Sequence, residues 1–173
     1  MCIRDREEAL AFFRNAADEK PLKICIFTAT GDTYELTATI ESSGTAIYSI
    51  SYNDLDGDGR TELVVGWRVG TELQALTVYA LRPDGPTELL RTDYVKYGIV
   101  DLDENQMEDL VVLRSLPDGE GCAEYYVWQD GGLVSRSMAR VSMTMAELSQ
   151  QCRLTQGTLR GGEPALFVTG VVE

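Results

Sequence analysis

The chain contains no histidine. That absence removes the usual neutral-pH general base, the Ser-His and Cys-His nucleophile pairs, and the favoured ligand of catalytic zinc. Long apolar runs are missing too, and no stretch approaches the roughly 18 residues that a membrane-spanning helix needs. Positive charge is scarce, with 15 Lys and Arg against 28 Asp and Glu and a net charge of −13. Nucleic acid is therefore a poor partner, because phosphate backbones select basic surfaces. The same balance is ordinary for a secreted protein or a binder of divalent cations. The four cysteines (Cys2, Cys25, Cys122 and Cys152) show no CxxC spacing, which argues against a zinc site or a thioredoxin-type motif. Cys25 lies inside the apolar run "KICIF" and reads as a small buried hydrophobe. Whether Cys122 and Cys152 pair is left open.

With 173 residues, 44% of them hydrophobic, the chain has enough apolar surface for a real core. The opening "MCIRDREEAL" carries charges where the apolar segment of a signal peptide would lie. Its first six residues resemble a translated adaptor remnant, so a truncated reading frame is expected, and targeting is not read from them. Residues 6–20, "REEALAFFRNAADEK", place Leu10, Phe13 and Ala17 at helical spacing and predict an N-terminal helix. From Pro21 onward the pattern changes. Nine short β-branched and aromatic runs occupy the rest of the chain, from "KICIFTAT" to "ALFVTGVV", separated by Gly, Asp and Ser turns, which is the signature of an all-β fold. "Pro83-Asp84-Gly85" and "Asp130-Gly131-Gly132" read as hairpin turns. A second short helix is expected over 144–152, where Thr144 and Glu147 make a capping box.

The chain also repeats itself. A shift of 47 residues lays Asp54, Asp56 and Asp58 on Asp101, Asp103 and Asn105. The same shift lays Leu63-Val64-Val65 on Leu110-Val111-Val112, Tyr79 on Tyr126 and Gly85 on Gly132 without a gap. Residues 21–173 therefore divide into a partial unit (22–52), two full units (about 53–99 and 100–146) and a degenerate one (147–173).

Each full unit opens on an acidic loop, "DLDGDGRTE" and "DLDENQMED". Like charges this close repel unless a cation sits among them. Carboxylates at positions 1, 3 and 5, a carbonyl at 7 and an acid at 9 wrap oxygens around one ion. Asp54, Asp56, Asp58, the Arg60 carbonyl and Glu62 fit that order. All-oxygen ligation by a flexible loop favours Ca²⁺, since Mg²⁺ keeps more of its waters. An EF-hand needs a bidentate acid at position 12, where this chain has Val65 and Val112, and both loops run into strands. Neither an EF-hand nor a dockerin fits.

These residues instead resemble the FG-GAP/VCBS repeat family, whose DxDxDGxxD loops bind Ca²⁺ between strands of β-propeller blades. "DLDGDGRTELVVG" matches closely and "DLDENQMEDLVVL" less so. The resemblance implies a mainly β fold of incomplete propeller-like blades with up to two Ca²⁺ ions. The second ion would be held by Asp101, Asp103, Asn105, the Met107 carbonyl and Asp109. Gln106 stands where the family has glycine, so the second site is expected to be the weaker. The third loop puts Gly157, Leu159, Gly161 and Ala165 at ligand positions and is expected to hold no metal. Trp67 and Trp128 read as core packing, although exposed aromatics can bind sugar.

By resemblance the chain is a non-enzymatic, extracellular or cell-surface module of a bacterium, binding an unidentified protein or carbohydrate. The alternative is a divalent-metal-dependent hydrolase or its regulatory lobe. Against it, no base accompanies the acids and no ligand position is left open. Propellers close with four to eight blades, and about three units leave strand edges exposed. Edge-mediated self-association, or further blades in a longer parent chain, is therefore expected.

Overall fold

The computed structural model describes residues 8–71, 73–102, 104–144, 147 and 153–169. The chain is mainly β. Three strands, β1 (Glu8–Arg14), β2 (Leu22–Thr30) and β3 (Thr33–Ser42), form one antiparallel sheet in chain order. Four more, β4 (Ala46–Asn53), β5 (Glu62–Val69), β6 (Leu73–Arg82) and β7 (Gly85–Asp93), form a second meander. A third is built from β8 (Lys96–Val100), β9 (Asp109–Ser115), β10 (Glu120–Gln129) and β11 (Gly132–Thr144). A hairpin of β12 (Arg153–Thr158) and β13 (Pro164–Thr169) completes the order. Among the described residues no sheet closes on itself.

Each of the nine apolar runs forms a strand, with only Thr45, Thr61, Tyr94 and Val95 among their described residues falling outside it, and both expected turns are hairpin turns. At β10–β11, Gln129 pairs with Gly132, and the two residues between them, Asp130 and Gly131, have φ of 52° and 85°. Two positive φ values in a two-residue loop make the type I′ turn, whose twist matches that of the flanking strands.

The N-terminal helix is not found. Glu8–Arg14 is a strand, paired along its whole length with Leu22–Thr28. The reason lies in its pairing. Leu10 and Phe12 stand opposite Ile26 and Ile24, both buried, and seven-residue pairing with β2, with Leu10 packed against the core, outweighs the helical preference of Glu, Ala and Leu. The helix expected over 144–152 falls outside the described residues, except for Thr144, which ends β11, and Glu147. Among the described residues no helix is an element of the fold.

The chain divides into two compact units, one of residues 1–52 and 62–91, the other of 53–61 and 92–173. In the first, Leu22, Ile24, Ile26 and Ile40 form one core with Leu63, Val65, Trp67 and Tyr79. Leu10, Ala38, Ile47 and Ile50 pack around it. Each fully buried aliphatic side chain contributes about 1.5–3 kcal/mol, and this inter-sheet layer is what holds β1–β3 to β4–β7.

The second unit reuses the same positions with different chemistry. In the first unit, the Trp67 indole N–H on β5 donates to the Thr77 hydroxyl on β6 at 3.2 Å. The 47-residue shift carries Trp67 to Arg114 and Thr77 to Glu124. There the Arg114 guanidinium meets the Glu124 carboxylate at 2.8 Å, with side chains 23% and 12% exposed. Burial opposes ionisation of Glu124, but hydrogen bonds from Ser135, Arg114 and Tyr126 outweigh it and hold the carboxyl below its usual range. Burial, followed by the Glu124 charge, pushes the Tyr126 phenol up to about 12.

Stability should respond to both features. Leu63→Ala, at a site with no solvent exposure, should cost about 2–5 kcal/mol in chemical denaturation, since the gap cannot fully collapse. Because the folded-state value of Glu124 is depressed, its contribution is complete above its ordinary value of 4.5 and is lost as pH falls through the lower folded-state value. The stability difference between the wild type and Glu124→Gln should therefore shrink from about pH 5 to about pH 3.

Candidate metal-binding loops

Residues 54–61 connect β4 to β5, and 101–108 connect β8 to β9. Each loop leads from one sheet strand into a neighbour buried along most of its length. The chain must reverse in a few residues, and side-chain carboxylates satisfy the amides that the reversal leaves over.

In the first loop, Asp54 accepts the Gly57 amide at 2.8 Å through Oδ1 and the Gly59 amide at 3.0 Å through Oδ2. Asp56 Oδ1 accepts the Asp58 amide at 3.0 Å, and Asp58 Oδ1 accepts the Arg60 amide at 2.8 Å. Gly57 and Gly59 take φ of 73° and 85°, the left-handed region where a Cβ costs about 1–2 kcal/mol. The second loop is similar over its described residues, although its first aspartate takes the amide at position 5 where Asp54 takes that at position 4. Asp101 accepts the Asn105 and Gln106 amides at 3.1 and 2.9 Å, and Asn105 Oδ1 accepts the Met107 amide at 2.7 Å. The residues equivalent to the two glycines, Glu104 and Gln106, have φ of 58° and 69°. Gln106 thus adopts the left-handed backbone that the first loop assigns to glycine.

One carboxylate oxygen from each of Asp54, Asp56 and Asp58 lies within 4.8 Å of the others. Burial pushes the Asp56 carboxyl above its usual value, and the charges of Asp58 and Asp54 add to that push. Such a cluster is a set of hard, anionic oxygens under mutual repulsion, and every oxygen engaged by an amide keeps further acceptor capacity. The donor set therefore fits a hard divalent cation. Glu62 opens β5, is 3% exposed, and counts with the first compact unit. Its equivalent, Asp109, opens β9 at 1% exposure and accepts the Leu102 amide at 3.1 Å and the Tyr125 hydroxyl at 2.7 Å. Asp103 lies outside the described residues, as does Cys152. Cys122 is a buried free thiol, pushed up by that burial.

The two loops touch, which the spacing of the acids does not reveal. Asn53 donates through Nδ2 to Glu108 Oε2 at 3.0 Å, and its buried Oδ1 has no hydrogen-bond partner among the described residues. A Cβ built on Gly57 would lie 2.8 Å from Met107 Sδ, so the Met107 side chain fills the space that glycine leaves. Glu108 stands out in sequence only as the neighbour of Asp109, and Asn53 only as the residue before the loop. Trp67 is 1% exposed, so it belongs to the core and offers no sugar-binding face. In the β12–β13 hairpin, the Leu159 amide donates to the Glu163 carbonyl at 2.8 Å and the Gly162 amide to the Leu159 carbonyl at 2.9 Å, a turn closed by backbone alone. No family model matches the chain, and no curated protein does.

Gln106→Gly should raise stability by about 0.5–1 kcal/mol, the left-handed cost less the added chain entropy of glycine. Gly57→Ala should cost more than Gly59→Ala, whose Cβ meets nothing within 4 Å. Denaturant titration of the three variants without added metal checks both.

Proposed function

We propose that the chain is a calcium-stabilised, non-enzymatic repeat module of the FG-GAP/VCBS type, extracellular or cell-surface, presenting a binding or scaffolding surface to a protein or carbohydrate. The observation that carries this reading is the duplicated loop. At a spacing of 47 residues, the first aspartate of each loop clamps two amides, the residue at position 5 clamps the amide at position 7, and positions 4 and 6 are left-handed. A merely solvated acidic turn has no need to be built twice with that backbone. Two consecutive four-stranded meanders, preceded by a three-stranded one, are the form that propeller blades take.

Asp54, Asp56 and Asp58 are the principal ligands of the first ion, with the Arg60 carbonyl and Glu62 as the remaining sequence-assigned donors. In the second loop Asp101, Asp103, Asn105, the Met107 carbonyl and Asp109 are the counterparts. Asn105 is neutral, so this loop offers less charge and binds more weakly. Ca²⁺ is the preferred ion because carboxylates and carbonyls on a flexible loop suit its larger, adaptable shell. Binding offsets the repulsion that burial and neighbouring charges impose on Asp56.

If Ca²⁺ binds the native state alone, stability should rise by about 2.7 kcal/mol at a hundredfold excess over Kd. Thermal melts in EDTA and in millimolar Ca²⁺ measure this, and identical midpoints would end the metal reading. Calorimetry should show the tighter event lost in Asp56→Ala and only the weaker one lost in Asp101→Ala.

A further inference from the structure

Among the described residues, the strand that the sequence disguises as a helix is the end strand of its sheet. Among the described residues β1 pairs only with β2, on one side, and lies at the end of the order β1-β2-β3. Natural edges are blunted by proline, lysine, bulges or inward-pointing charge. β1, "EALAFFR", has neither proline nor lysine, and its pairing with β2 shows no register shift. The opposite edge of the same sheet, β3, is bulged against β2 at Ile26/Phe27, and β11 carries two such shifts against β10. Phe12 and Phe13 are 44% and 55% exposed. In the four-stranded meanders, the strand equivalent to β1 has a neighbour on this side: β5 has β4.

We infer that two copies of the chain associate through β1, antiparallel about a two-fold axis at Ala11, with Glu8 of each copy opposite Arg14 of the other. The strand is self-complementary in this register. Seven residues pair with seven, and only centring on Ala11 uses them all. Even-numbered residues then face even-numbered ones, and odd face odd. The outward amides and carbonyls of one copy therefore meet those of the other, whichever set points outward.

The side chains agree with the same register. Leu10 and Phe12 share the core side with Ile26 and Ile24, and in the dimer each Phe12 meets a Leu10. On the other side each Phe13 meets the small Ala9, and Ala11 meets itself at the axis. Both ends close on opposite charges. Glu8 already acts on the Tyr52 phenol within its own chain, and a carboxylate has acceptor capacity for a guanidinium as well. The result is a six-stranded sheet joined by main-chain hydrogen bonds, with an isologous interface. Centring on Leu10 or Phe12 would shorten the overlap and leave the charges facing apolar residues.

Sedimentation equilibrium of the 173-residue chain over a range of concentrations should show a monomer–dimer equilibrium. Glu8→Arg or Arg14→Glu alone sets like charges opposite each other twice and should raise the dimer Kd by about tenfold or more. The double exchange, Glu8→Arg with Arg14→Glu, should restore association. So should mixing the two single variants, which then form a mixed dimer. Both residues lie on the surface, and unchanged circular dichroism melts confirm that the variants fold. Runs in EDTA and in Ca²⁺ should agree, since β1 carries no loop residue, so failure of the calcium reading leaves this test intact. A monomer at every concentration overturns the inference. So does a dimer indifferent to the single reversals, which would mean association through another surface.

Discussion

The bidentate use of one aspartate, Asp54 in the first loop and Asp101 in the second, is the constraint on which the rest of the architecture hangs. Each carboxylate ties down the amide five residues ahead at 3.0 and 2.9 Å, and in doing so turns the chain back towards its sheet. The loop then delivers the chain directly into the strand with the deepest burial, Leu63-Val64-Val65 or Leu110-Val111-Val112. A strand buried on both faces tolerates no slip, because moving by one residue exchanges its two faces. A turn of fixed geometry just before it sets where the strand begins.

That tight coupling explains why acids are tolerated in such density. Asp56 and Asp58 each cap an amide two residues on, so part of their negative charge is answered by backbone dipoles before any ion is considered. What is left is the cost of burial, with the charges of Asp58 and Asp54 added to it, that lifts Asp56 above its usual value. A loop held partly formed by its own amides would have less ordering left to do for a cation under the calcium reading proposed above, since preorganisation favours binding. The same economy of position appears at Trp67–Thr77 and Arg114–Glu124. One pair of repeat positions hosts an indole–hydroxyl contact in one unit and an ion pair in the other. The backbone frame is kept while the chemistry between strands changes.

Much of this is legible in sequence, for identifiable reasons. The nine strands that read clearly are β-branched or aromatic runs bounded by Gly, Asp or Pro, where local preference and tertiary role agree. β1 does not read clearly because apolar residues fall on both faces of it, so Leu10 and Phe13 mimic a helical stripe. Only the partner strand decides the period. β11 escapes notice because Ser135, Arg136, Ser137 and Arg140 interrupt any apolar pattern, on a strand that is largely exposed and twice irregular against β10. At the loops, the acids announce themselves by spacing. The left-handed Gln106 can be anticipated from its alignment with Gly59, whereas the Asn53–Glu108 bond depends on a meeting of segments 55 residues apart, which spacing within a loop does not encode.

The seating of Met107 against Gly57 has an evolutionary consequence. Two loops of similar sequence are usually free to drift apart, yet here a side chain from one occupies the space left by a missing side chain in the other. Position 57 can gain bulk only if position 107 gives it up, and a smaller residue at 107 opens a hole that position 57 cannot fill while it stays glycine. The two sites form a single heritable unit. Related chains should keep the small–large pairing or reverse it, and the loops should diverge in step.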